Sequence, residues 1–328
     1  MYQIVYPGQA LKPVEGGFLV PLGHGGKAHF GVANFFVPCP QRLLDKVIRE
    51  FRIIPSQGEF QIEFVTESLE EARCERCELI PEQWLAFDPG MNNLVTGVST
   101  TGESFILDGL ALKSYNHFYN KQKAHYQSIL ELQEPGRKVS AKLQTLNRNR
   151  ANFVRDYINK AARYIIDFAL ERGIKGIAWG VNQEQKNGIK LGKRINQQFV
   201  QIPQARLRKR VEQLAFLHGL RFVETEESYT SKTCYLSGQL LPSFGEKPEG
   251  WVPMGKRVKR GLYKTFNGMF INADCNGAAN ILQKVAAKLG FEPSRVSIGA
   301  LTAPYRVRHQ HGKFLPGCPT IEAQSLQG

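Results

Sequence analysis

Two aspartates constrain this chain more than any other feature. Asp88 ends an apolar run, Trp84-Leu85-Ala86-Phe87, just before Pro89-Gly90. Asp274 opens an amphipathic helical pattern, Asn272-Ala273-Asp274-Cys275-Asn276-Gly277-Ala278-Ala279-Asn280-Ile281-Leu282, that runs to about Leu289. An aspartate at a helix start is usually a cap, and the helix dipole there favours a negative charge and any cation it holds. Gly277, Ala278 and Ala279 are small enough to let the helix lie close against a sheet. Carboxylates from distant segments, each at the end of an element, are what a two-metal phosphodiester-cleaving site requires, with Mg²⁺ ions roughly 3.5–4 Å apart. Hard divalent cations take carboxylate oxygens.

Charge narrows the partner. The 328 residues hold 43 Lys+Arg against 29 Asp+Glu, a net +14, which points to a polyanion and first to nucleic acid. No run of about 20 apolar residues and no cleavable signal is read, so the expectation is a cytoplasmic protein without a membrane span. The six cysteines are too scattered for a disulfide scaffold. Cys74-x-x-Cys77 is half a zinc site without a matching second pair, and its role stays open.

Residues 1–83 read as a β-rich binding module. Gly16–Leu22, Phe30–Val37, Phe51–Pro55 and Glu59–Val65 are strand patterns, with a short helix after Pro40. Residues 84–232 open with an antiparallel meander: Trp84–Asp88, Leu94–Ser99 and Ser104–Asp108. A long basic helical stretch follows, Lys113 to Arg172, broken at Pro135-Gly136. Its core stripe includes Leu143, Tyr157, Ala161, Ile165 and Phe168, and Lys142 and Arg148 lie on the opposite face. Ile174–Val181 is a fourth strand. Lys186, Lys190, Lys193 and Arg194 lie in a polar stretch suited to phosphates, ahead of a helix from Pro203 to His218 and a fifth strand, Leu220–Thr225. Residues 233–270 read as an irregular insert, 271–290 as the last helix and 291–328 as a flexible basic tail. The order β-β-β-α-β-α-β-insert-α matches the ribonuclease H-like α/β architecture, a mixed sheet in strand order 3-2-1-4-5 with Asp88 at the tip of the central strand.

At these residues the chain resembles a family. Asp88-Pro89-Gly90-Met91-Asn92-Asn93 looks like its first RuvC motif and Asn272–Ile281 like its third. Glu226-Glu227-Ser228-Tyr229-Thr230-Ser231-Lys232 looks like the segment before its zinc ribbon. The family is TnpB, or OrfB, the transposon-encoded RNA-guided nucleases related to type V CRISPR effectors. The resemblance implies a wedge-like N-terminal domain, a guide RNA from the transposon end, a DNA target, association with the transposase of the same element, and two Mg²⁺ ions. It implies hydrolysis that leaves a 5′-phosphate.

Several departures qualify it. The helical lobe that family members insert in the wedge has no counterpart here. The ribbon keeps Cys234 but has Ser237, Lys264 and Asn267 near the other ligand positions, so no zinc is expected at Cys234. The fourth strand ends Trp179-Gly180-Val181-Asn182, where the family carries a glutamate. The nearest replacement is Glu226-Glu227 at the tip of the next strand, about 4.8 Å away, a gap a Glu side chain largely covers. Glu227 is the slight favourite of the two. The implied metal ligands are Asp88, Asp274 and Glu227 or Glu226, with Asn92, Asn182 and Asn276 orienting them. The alternative reading is a nuclease-inactive or truncated RNA- and DNA-binding relative. A third is a guide-free nuclease selective for branched DNA.

Overall fold

The computed structural model describes residues 2–56, 59–67, 80, 83–90, 92–181 and 202–317. The chain divides into two compact units, Met1–Glu71 with Gln122–Ala151, and Ala72–Lys121 with Asn152–Gly328.

In the first unit, β1 (Ile4–Pro7), β5 (Ile48–Ser56) and β6 (Glu59–Thr66) form one antiparallel sheet. A second is made of β2 (Lys12–Val14), β3 (Gly17–Pro21) and β4 (Asn34–Pro38). Period-2 alternation puts Phe51 opposite Phe64 on the inner face, their rings 5.3 Å apart, against Phe18, Val20 and Val37. The strand expected from Phe30 begins only at Asn34. A short helix, α1 (His24–Phe30), precedes it and is ended by Gly31 at φ 70°, a left-handed cap. After Pro40 there is one 3₁₀ turn, Gln41–Leu43, and Ile48 already belongs to β5.

The second unit is built on a seven-stranded sheet. Its first strands are β7 (Trp84–Pro89), β8 (Asn93–Ser99) and β9 (Ser104–Asp108), an antiparallel meander. The helices α2 (Leu110–Gln133) and α3 (Ala141–Glu171) follow, separated by a turn at Gly136, φ 83°, and their Gln122–Ala151 portion counts with the first unit. The Asp108 carboxylate caps α2, accepting from Leu110 N at 2.6 Å. Then come β10 (Gly176–Val181), α4 (Gln204–Leu217) and β11 (Arg221–Glu226), with β7, β10 and β11 mutually parallel. The order β11-β10-β7-β8-β9 is the ribonuclease H-like arrangement, and the fold is a mixed α/β one with β7 central among these five strands.

Strand parity sorts the core. Leu85 and Phe87 pack with α3 and α4 on one face, while Trp84 and Ala86 pack with the last long helix on the other. Asp88 continues the even series, so its side chain is directed to that helix. The helix is α5 (Ala273–Leu289), reached through a small antiparallel sheet of β12 (Lys256–Lys259), β13 (Leu262–Lys264) and β14 (Phe270–Asn272). The insert 233–270, read as irregular, thus carries two strands and the start of a third. Cys234 lies buried in it as a free thiol.

Residues 291–317 correct the expectation of a flexible tail. They form α6 (Ile298–Thr302), β15 (Tyr305–Gln310) and β16 (Lys313–Pro316), and β15 pairs in parallel with β9. Val307 and Phe314 are buried in the core. His311 and Gly312 both take positive φ, 48° and 73°, which suits a two-residue hairpin. The Tyr305-Val307-His309 alternation is the sequence signal, masked by Pro304, Pro316 and the intervening charges. Among the described residues, no helix is long and apolar enough to cross a membrane.

Candidate active site

Asp88 is held on a braced turn. Gly90 N donates to Leu94 O at 3.3 Å, and Gln204 Nε2 of α4 donates to both Gly90 O at 2.7 Å and Leu94 O at 2.9 Å. On its other side the carboxylate lies against α5 at Gly277. A Cβ there would stand 2.4 Å from Asp88 Oδ2, so any larger residue would force the carboxylate to move.

Gly180 plays the matching part on β10. An added Cβ would lie 2.5 Å from Ile281 Cδ1 and 2.9 Å from Glu227 Cγ and Oε1. The space at the strand tip left by the missing side chain is therefore bordered by Glu227, reaching in from the neighbouring strand end. The turn that follows holds Glu227 by its backbone. Glu227 O accepts from Thr230 Oγ1 at 2.8 Å and from Thr230 N at 3.2 Å, and Tyr229 takes a left-handed φ of 63°. Glu226 has different company: its carboxylate pairs with Lys284 of α5 and accepts from Ser228 N at 2.6 Å.

Asp274 is not the cap of its helix. Asn272 is, its Oδ1 accepting from Asp274 N at 3.0 Å and Cys275 N at 3.1 Å, which frees the Asp274 carboxylate. Asp274 Oδ2 accepts from Asn93 Nδ2 at 2.8 Å, and Asp274 Oδ1 pairs with Arg257 of β12 at 3.0 Å. Asn93 Oδ1 in turn accepts from Arg306 of β15 at 3.3 Å.

The electrostatics bind these groups together. Asp88 is pushed well above the usual carboxylate range, first by burial and then by the charges of Glu227 and Asp274, with Arg257 pulling the other way. Glu227 is raised to about 7, by burial first and then by Glu226. Burial also works to raise Glu226, but hydrogen bonds from Lys284 and Ser228 outweigh it and hold it below 4.5. Among the described residues, no group of His, Cys, Asp and Glu is gathered tightly enough to hold a metal ion as it stands. The donor set is nonetheless all hard oxygen, which fits Mg²⁺, although Arg257 already occupies one oxygen of Asp274.

A raised carboxyl makes the metal-free protein less stable as pH climbs. Between pH 4.5 and about 7 the folded chain keeps a proton on Glu227 that the unfolded chain releases, so stability falls across that window. In EDTA at pH 8, Glu227→Gln is expected to be more stable than the parent by up to roughly 3 kcal/mol, the difference vanishing near pH 4. Thermal melts of the two proteins across that range check it, and a constant gap would contradict the raised carboxyl.

Three of the sequence-derived site residues, Asp88, Glu227 and Asp274, meet α5 at one end of the sheet, while Glu226 is turned to Lys284. Two asparagines depart from expectation. Asn92 Oδ1 accepts from Lys113 Nζ at 3.0 Å, steadying the start of α2 rather than a carboxylate. Asn276 is fully buried and clamps the 233–235 turn, accepting from Tyr235 N at 2.9 Å and donating to Thr233 O at 2.8 Å. Asn93, its neighbour by one residue, performs the role expected of Asn92, and strand alternation at the start of β8 is the signal that separates them. Arg148 is paired with Glu59 at 2.7 Å, and Lys142 is exposed. Asn182, Lys186, Lys190, Lys193 and Arg194 lie outside the described residues, as do Cys74 and Cys77. Nothing in the irregular-looking insert flagged Arg257.

The OrfB_IS605 family, described as a probable transposase, matches residues 69–185, which carry Asp88. A Cas12f1-like TNB domain matches residues 205–281, which carry Glu227, Arg257 and Asp274. No curated protein matches the chain. Among solved structures it is similar to Cas12f1 in complex with sgRNA and target DNA, at 15% identity and TM-score 0.42 over 85% of this chain and 66% of that one. It is similar to a CRISPR-Cas12f ternary complex at 15% identity and TM-score 0.42, over 83% of this chain and 50% of that one. For Alicyclobacillus acidoterrestris C2c1 with single-guide RNA the values are 18% and 0.35, over 52% and 19%. The chain thus spans less than two thirds of the length of these relatives. One match covers the Asp88 strand and the other the segment from the glutamate doublet to α5, in that order along the chain, and together they support a TnpB-like protein.

Proposed function

We propose that this protein is an RNA-guided DNA endonuclease of TnpB type that hydrolyses phosphodiester bonds with Mg²⁺. The observation that carries the reading is the convergence of Glu227 and Asp274 on Asp88, whose carboxyl both charges raise, a repulsion that a divalent cation would relieve. Asp88, Asp274 and Glu227 would hold two Mg²⁺ ions, which when bound supply Lewis acidity and an activated water. Gly277 and Gly180 keep room for the carboxylates, and Asn93 orients Asp274. Arg257 would exchange its carboxylate partner for a backbone phosphate, a change suited to a guanidinium. A guide RNA from the transposon end and a target DNA are the partners, in keeping with the net charge of +14. The element's transposase is a partner by association.

The test is to sequence RNA that co-purifies with the full chain, then offer a DNA matching that RNA with Mg²⁺ or EDTA. Bound RNA from the element's end and Mg²⁺-dependent cutting are expected. Absence of cutting, with nucleic acid still held, favours the second reading, a binding protein without nuclease activity. The Arg257–Asp274 ion pair speaks for that reading, since it occupies an oxygen that a metal would use.

A further inference from the structure

Helix α5 touches the sheet along one stripe. Asp274, Gly277, Ile281 and Lys284 recur at helical spacing, and each meets a different strand or strand end. Asp274 bonds Asn93 of β8, Gly277 lies on Asp88 of β7, Ile281 fills against Gly180 of β10, and Lys284 reaches Glu226 of β11. That is the order of those strands in the sheet. Ten helical residues rise about 15 Å, and three strand spacings make about 14 Å. The helix therefore spaces the strand tips.

Lys284 is the last mark on that ruler, and it lies outside both matched segments. Its side chain is 8% exposed, so its charge requires partners there. It has two: the Glu226 carboxylate, and Ser228 O at 2.7 Å. Both flank Glu227. The second Glu226 oxygen accepts from Ser228 N at 2.6 Å, so the turn is closed on each side of the residue between. Bracing the residues on either side of Glu227 fixes the backbone from which its side chain projects.

We propose that Lys284 is a positioning residue that clamps Glu226 and Ser228 so that Glu227 is presented to the acidic site. The doublet then divides its labour, with Glu226 as the anchor and Glu227 as the ligand. This rests on the nuclease reading above.

The experiment compares the full-length protein with Lys284→Met, Lys284→Arg, Glu226→Gln and the Lys284→Met/Glu226→Gln pair. Mn²⁺ binding is measured without nucleic acid by electron paramagnetic resonance, and the Mg²⁺ dependence of DNA cutting is measured in parallel. Lys284→Met is expected to weaken Mn²⁺ binding by about 10- to 100-fold and to raise the Mg²⁺ needed for half-maximal cutting, with Lys284→Arg recovering most of both. The pair is expected to be no worse than its weaker single. A folded Lys284→Met protein with parental Mn²⁺ affinity and Mg²⁺ dependence overturns the proposal. Should that variant not fold, Glu226→Gln decides on the same two measurements, parental values again overturning it. If the parent protein itself neither binds Mn²⁺ through Asp88 nor cuts, the nuclease reading falls and takes this inference with it. If the parent does both and Lys284 is indifferent, only the inference falls.

Discussion

Asp88→Ala is expected to lower Mg²⁺-dependent DNA cutting by at least about 1000-fold while nucleic-acid retention stays at the parental level. The reasoning starts from its place in the sheet. Asp88 ends β7, lies against Gly277 and feels both other carboxylates, so it is the member of the set placed to act with each of them. Were it to hold Mg²⁺ as proposed, its loss would remove several kcal/mol of charge stabilisation, and each 1.4 kcal/mol is about tenfold in rate. Retention depends instead on Lys and Arg contacts to phosphates, with a steep fall in salt that the substitution leaves untouched. A variant that still cuts within tenfold of the parent would remove Asp88 from the reaction.

Gly277→Ala is the second large effect, and here two terms compete. Alanine in a helix interior gains about 1 kcal/mol over glycine by propensity. Against that stands a Cβ 2.4 Å from Asp88 Oδ2 and 3.2 Å from its Cγ, on a buried face where overpacking costs about 1–3 kcal/mol. The steric term wins, because Asp88 sits on a turn held by Gln204 and cannot retreat by backbone movement without breaking those bonds. The carboxylate must rotate away from α5 instead. We expect a folded protein, its melting point lowered by a few degrees, whose Mg²⁺-dependent cutting falls roughly 100-fold, the scale of a misplacement near 1 Å. Parental activity with parental stability would show that the cradle is looser than the distances require.

How much of this was legible beforehand differs from element to element. The meander, the basic helices, the strand order about β7 and the start of α5 follow from apolar periodicity and small residues that the structure uses as the pattern suggests. Asp88 and Asp274 were legible because each ends or opens a strongly patterned element. The choice between Glu226 and Glu227 was not, because a doublet at a strand end carries no signal for which side chain meets the neighbouring tip. That depends on Lys284, distant in sequence and on another element. Arg257 was hidden for a related reason: β12 is short, fully exposed and charged, so its residues show no buried face. Asn276 looked like a ligand-orienting group by adjacency to Asp274, yet two residues along a helix lie on different faces, and it turns into the 233–235 turn.

The pairing of β15 with β9 has a practical meaning for anyone handling this protein. A fragment cut after α5, where the last recognisable motif stops, would strip the neighbour from β9 and leave a row of bare amides and carbonyls on a hydrophobic sheet. Such a fragment would self-associate. Arg306, which steadies Asn93 and through it Asp274, would go with the discarded piece. Shortened versions should therefore keep the hairpin through Gly317, whose amide closes back onto the Arg306 carbonyl.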